Sequence, residues 1–208
     1  MMKYKQYILA FLISSLIFSC QTTQNEERVS KGNLQLVFGS NGRLQEDINN
    51  YGLSIENAEG KVILSFDKIS EAPTSIPLAV GEYTVKAFSA SEMPYVTFDA
   101  PYYYGEESCT IESGKETSVN ITCALKHLKL NVNFDSDIIN NSKSYSATAA
   151  TAHADITVDA TTSNTVFVER SALLIETVIE QMDGSIIKGK QILSGLEEQT
   201  EYTVNISY

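Results

Sequence analysis

The sequence predicts an all-β protein, two tandem β-sandwich units behind a short N-terminal leader. Three observations carry that reading. Segments that alternate apolar and polar residues recur from residue 33 to the end, while no stretch after residue 30 holds an i, i+3, i+4, i+7 apolar stripe for three turns. Gly, Asn, Asp and Pro punctuate those segments at hairpin spacing. Glu82-Tyr83-Thr84-Val85 recurs as Glu201-Tyr202-Thr203-Val204, either one unit repeated or a chance return of a β-favouring tetrapeptide.

The leader comes first. Lys3 and Lys5 precede an apolar run, Ile8 to Phe18, that is too short to span a bilayer as a helix, which takes roughly 20 residues. Residues 1–19 read as a cleaved signal peptide. The run closes on Leu16-Ile17-Phe18-Ser19-Cys20, which resembles a bacterial lipobox, so Cys20 is expected to be diacylated and to become the N-terminus. Each buried methylene of such a chain adds about 0.8 kcal/mol of membrane affinity. Residues 20–31 are polar and without apolar period, a flexible linker. Glu26-Glu27 loosely resembles the acidic surface-export signal of Bacteroidetes lipoproteins. The expected location is the outer membrane, held by lipid.

Net charge is −11, and −13 once Lys3 and Lys5 leave. Such a surface repels phosphate backbones, which argues against nucleic acid as a partner.

The mature chain divides into residues 32–126 and 127–208. In the first part, Asn33 to Phe38 sets Leu34, Leu36 and Phe38 on one face, and Tyr51 to Asn57 with Lys61 to Phe66 flank the turn Ala58-Glu59-Gly60. Gly81 ends a turn, after which Tyr83, Val85 and Ala87 alternate inward. Tyr83 has the setting of a tyrosine corner, a hydroxyl bonded to the backbone upstream. Pro94 to Gly105 is an irregular loop bearing Tyr95, Phe98, Tyr102, Tyr103 and Tyr104. Cys109 to Ile111 and Val119 to Leu125 flank Gly114 as a hairpin, and Leu128 to Phe134 gives the clearest alternation in the chain.

In the second part, residues 136–164 hold few large apolar side chains and read as long loops or an exposed edge strand. Strands return at Thr165 to Val168, Leu173 to Gln181, Ser185 to Leu193 and Tyr202 to Tyr208. If the tetrapeptide echo is a true repeat, the second unit lacks closing strands, and its open edge invites strand addition by another β-sandwich subunit.

Val80-Gly81-Glu82-Tyr83-Thr84-Val85, Ala100-Pro101-Tyr102-Tyr103-Tyr104-Gly105-Glu106 and Thr122-Cys123-Ala124-Leu125 occur in order ahead of the Leu128 strand. With the lipobox and the Gly32-Asn33-Leu34-Gln35-Leu36 strand they resemble the Bacteroides lipoprotein family catalogued as domain of unknown function 4493. The resemblance implies immunoglobulin- or transthyretin-like sandwiches and, by analogy of fold, fimbrillin-like surface proteins with a structural or adhesive role.

Side chains able to do chemistry are sparse. Cys109 and Cys123 are either a disulfide or two small buried apolar residues; a hairpin centred on Gly114 sets Cys109 nearer Val119 and Cys123 nearer Gly105. His127 and His153 are the only histidines, and no HExxH, paired CxxC or phosphate-binding Gly loop occurs. No catalytic group, metal or cofactor is expected. Asp99, Glu106, Glu107 and Glu112 match no calcium loop and read as a solvated rim. Tyr95, Tyr102, Tyr103 and Tyr104 are the candidate ligand contacts, either a platform for a glycan or an aromatic lid on the sandwich end.

Overall fold

The structure is a computed structural model that describes residues 30–40 and 47–208. The signal peptide, Cys20 and the linker up to residue 29 lie outside the described residues, as do residues 41–46.

The first unit begins with β1 (Lys31–Ser40), β2 (Gly52–Asn57) and β3 (Val62–Phe66). The β2–β3 hairpin closes where Gly60 takes φ 76° and the Asn57 carboxamide accepts from the amides of Glu59 and Lys61. β4 (Ile76–Ala79) and β5 (Gly81–Phe88) follow, then the short β6 (Val96–Thr97), β7 (Tyr103–Ile111) and β8 (Glu116–Leu125). Their order is β3-β2-β5-β7-β8-β1-β4, with β8 and β1 parallel and the other neighbours antiparallel.

This ribbon of strands folds over between β7 and β8, whose ladder consists of Tyr103↔Leu125 and Tyr104↔Ala124 alone. The fold needs a glycine there. A Cβ on Gly105 would lie 2.5 Å from the Thr122 carbonyl oxygen and 3.1 Å from Cys123 Cα. Beyond it, β7 stays with β5 and β8 with β1, so Leu53, Ile55 and Val85 from one layer and Leu34, Ile76 and Ile121 from the other meet in a single core. Each such side chain, fully buried, contributes about 1.5–3 kcal/mol.

The second unit runs β9 (Leu128–Phe134), a helix α1 (Ser136–Asn141), β10 (Ser142–Ala150), β11 (Asp155–Asp159), β12 (Thr165–Val168), β13 (Leu173–Gln181), β14 (Ile186–Leu193) and β15 (Glu201–Ile206). Two four-stranded sheets, β11-β10-β13-β14 and β15-β9-β12-β6, enclose a second core of which Leu128, Leu130, Val132, Val166, Leu173 and Ile175 are part. The cores divide between Leu125, which packs with the first, and Leu128 in the second.

Apart from β6, the two units share one pairing scheme. β9 pairs antiparallel with β12 and parallel with β15, as β1 does with β4 and β8. β10 pairs with β11 and β13, and β13 with β14, as β2 does with β3 and β5, and β5 with β7. Among the described residues the second unit therefore has a counterpart for every strand of the first, and the expected shortage of closing strands is not found there. The tetrapeptide echo misled because β15 corresponds to β8, whereas the counterpart of β5 is β13. One difference remains: β7 and β8 join the layers of the first unit, while β14 and β15 are separate sheet edges.

Several elements depart from the sequence expectation: β6 and the start of β7 at Tyr103 fall inside the stretch expected to be an irregular loop, and two more departures lie in the second unit. β10 is a central strand of the Ser/Thr/Ala region rather than a loop or edge, with Ala147 and Ala149 as its buried apolar side chains. α1 precedes it, with the Asp135 carboxylate accepting from the Asp137 amide and Ile138 fully buried against the core.

Candidate functional site

The aromatic loop joins the two units. It leaves β5 at Phe88, and β6 pairs with β12 of the second unit through Thr97↔Phe167 and Val96↔Val168. Val96 and Phe98 pack on the second core, and the Glu169 amide donates to the Tyr95 carbonyl at 2.8 Å. A strand from the first half of the sequence thus forms the edge of a sheet in the second.

His127 pins both ends of this loop. It is fully buried, its Nδ1 accepts from the Tyr102 amide at 2.9 Å, and its Nε2–H donates to the Pro94 carbonyl at 2.7 Å. That pairing fixes the Nε2–H tautomer. Burial lowers the imidazole pKa from its ordinary value of 6.5, outweighing the Pro94 bond and the more distant charges of Glu169 and Glu198. Ser89 locks the base of the loop, its hydroxyl accepting from the Tyr103 amide at 2.9 Å.

The four candidate tyrosines separate. Tyr103 points inward, buried, with its ring stacked 6.1 Å from that of Tyr51. Tyr102 and Tyr104 point outward and stack at 6.3 Å and 18°. The Tyr104 hydroxyl donates to Glu106, and Lys126 Nζ lies 5.9 Å from the ring centre. Burial, then Glu106, holds the Tyr104 phenol well above its usual range; burial likewise raises Tyr102. Tyr95, half exposed, belongs to another cluster: its ring stacks on His153 at 4.5 Å, and His153 Nδ1 meets the Glu169 carboxylate at 2.8 Å. Nothing local in the sequence links His153 to Glu169 or to Tyr95, so this cluster escaped the reading of motifs.

Cys109 and Cys123 are free thiols. The disulfide expectation fails on register: Cys109 lies opposite Tyr83 on β5, while Gly105 faces Cys123 across the fold of the ribbon. Burial pushes the Cys123 thiol up to about 11, and burial with the Glu107 charge raises Cys109. Both are poor nucleophiles at neutral pH. Cys109 lines a shallow groove of about 390 Å³ with Ala58, Glu82, Tyr83, Thr84, Ser108 and Thr110. The acidic rim is dispersed, with Glu106 on Tyr104 and Glu112 on Lys115 at 2.5 Å. Among the described residues no group of three or more His, Cys, Asp or Glu is placed to hold a metal ion, and no helix is long and apolar enough to cross a membrane.

Both tyrosines of the echo bond back upstream. The Tyr83 hydroxyl donates to the Ala79 carbonyl at 3.1 Å, and the Tyr202 hydroxyl accepts from the Glu197 amide at 2.9 Å.

A family model described as "Domain of unknown function (DUF4493)" matches residues 16–208. Among solved structures the chain is similar to a fimbrial assembly protein of Parabacteroides distasonis, with a TM-score of 0.51 and 10% identity over 84% of this chain and 90% of that one. It is also similar to a candidate cell adhesion protein of Bacteroides eggerthii, with a TM-score of 0.46 and 10% identity over 85% of each chain. A candidate adhesin of Bacteroides ovatus gives 0.45 and 7% over 86% of this chain and 93% of that one. No curated protein sequence matches.

Proposed function

The chain belongs to the family described as domain of unknown function (DUF4493), and from that membership we propose a lipid-anchored protein of the cell envelope with a structural or adhesive role, fimbrillin-like in build. The observation that carries this reading is the tandem-sandwich fold, shared across most of both chains with the fimbrial assembly protein. The lipobox at Cys20 supplies the anchor and the outer membrane the location. Other sandwich subunits are the natural partners, since the sheet edges of the second unit can accept a strand. The reading assigns His127 and the two thiols structural parts: both ring nitrogens of His127 are engaged by backbone, and burial raises the pKa of each thiol.

The test is surface proteolysis of intact cells expressing the full chain, beside Cys20→Ser. Protease-sensitive protein that stays with the membrane fraction, and moves to the soluble fraction in Cys20→Ser, is the expected result. Protein shielded from protease, or membrane-bound regardless of Cys20, overturns it.

A second reading, a glycan-binding surface lipoprotein, is favoured by the outward stack of Tyr102 and Tyr104 beside Lys126. A glycan array on the purified chain tests it. Binding lost in Tyr102→Ala plus Tyr104→Ala supports it; no signal, or a signal unchanged by that variant, removes it.

A further inference from the structure

We propose that copies of this chain associate head to tail, the free edge of β14 in one molecule adding antiparallel to the free edge of β11 in the next. The biological setting rests on the surface-component reading above; the contact itself rests on the strands. Among the described residues β11 and β14 are the two ends of one sheet, β11-β10-β13-β14. Neighbours in that sheet are antiparallel throughout, so a translated second copy presents its β11 running opposite to β14. Addition there continues one sheet without reversing a strand.

The side chains of the two edges match. Ile186, Lys188, Lys190 and Ile192 pair with Glu180, Val178, Glu176 and Leu174 of β13, and they face outward, since Leu173, Ile175 and Ile179 are buried on the other side. On β11, Asp155, Thr157 and Asp159 face outward while Ile156 and Val158 turn toward the core. Antiparallel addition lays the two lysines along the Asp-Thr-Asp row. Lys190 already holds Glu176, but among the described residues neither Lys188 nor Asp155 has an ion-pair partner. Ile186 and Ile192, 59% and 72% exposed, flank the lysines as apolar surface that the contact would cover.

Self-pairing of either edge is disfavoured. Two β14 strands related by a twofold axis bring lysine opposite lysine in every well-overlapped register, and two β11 strands bring aspartate opposite aspartate. The other edges suit less. β4 carries Pro77, which lacks an amide donor, β6 has 2 residues, β3 has no charged side chain, and Glu201 of β15 is engaged by Lys129 and Asn131. A contact between two different edges leaves one of each edge free at the ends of the assembly, and with copies related by translation it extends into a filament.

Charge reversal tests this on the full-length chain in excess detergent, by sedimentation velocity over a concentration series. Lys188→Glu plus Lys190→Glu makes both edges acidic, and Asp155→Lys plus Thr157→Lys makes both basic. Circular dichroism and thermal melting establish that each variant folds. Concentration-dependent association of the wild type, its loss in each variant alone, and its return in an equimolar mixture of the two are expected. A monomeric wild type, variants that associate like the wild type, or a mixture that stays monomeric each overturns the proposal. Those outcomes leave the surface assignment intact, because protease accessibility and dependence on Cys20 are read separately.

Discussion

His127 commits both ring nitrogens to the backbone of a loop that starts 33 residues upstream, so its removal strands a part-buried amide and a part-buried carbonyl at once. His127→Ala should cost about 2–4 kcal/mol of unfolding free energy, measured by denaturant titration. The pH dependence has a fixed sign. The folded-state pKa lies below the ordinary 6.5, so the unfolded chain takes up the proton first. Stability from this residue is whole above pH 6.5 and falls as the pH drops from there toward the lowered folded value. Melting temperatures from pH 8 to 5 should show that slope in the wild type and a shallower one in His127→Gln. At the thiols, Ellman's reagent should find both Cys109 and Cys123 free under denaturant, and in native protein should react at Cys109 well before buried Cys123. The tyrosine hydroxyls divide in the same way. Tyr83→Phe should cost about 0.5–1.5 kcal/mol, and Tyr202→Phe less, because the Glu197 amide it frees is exposed to water. The Tyr83 corner could be seen in the sequence, since its cause lies within a few residues. The partners of His127 could not, because the contact is made only once the loop has crossed to the second unit.

Among the elements, strands that alternate large apolar residues with polar ones were legible almost to the residue. β13 spans Leu173–Gln181 as expected, and β14 starts one place later than expected, at Ile186. β10 was not legible, because beside Tyr145 its inward side chains Ala147 and Ala149 carry little weight in a hydrophobic pattern. Their small size has a structural sense: α1 brings Ile138 into the same core, occupying room that larger side chains on β10 would take. The fold between β7 and β8 was also hidden, since a glycine in a strand can mean a bulge, a bend or a close approach. Here it is a close approach, and Gly105→Ala must push β7 from the backbone of Thr122. We expect a loss of about 1–3 kcal/mol on thermal or chemical unfolding, against a negligible effect of Gly189→Ala beyond displacement of the Thr177 hydroxyl.

Across the whole molecule, two cores with one pairing scheme are linked by more than a covalent joint. β6 ties the first half of the sequence to β12, and the Tyr95 carbonyl receives the Glu169 amide. Replacing Val96 by Asp puts a charge in place of an apolar side chain that packs on the second core at that edge. Hydrogen exchange should then rise at residues 165–168 while β2 and β5 keep their protection. The tandem layout was visible in the alternation and turns, but its symmetry was not, since the repeat lies in strand order and the single sequence echo falls on strands that do not correspond. The crossing of β6 also bears on how the chain is made. On the ribosome residues 96–97 emerge long before β12 exists, so the first sandwich can close while its outlying strand waits unpaired for a later arrival. A nascent chain that releases its first half early would leave that strand free to be claimed by the β12 of a neighbouring molecule, a route to exchanged dimers set by the timing of translation.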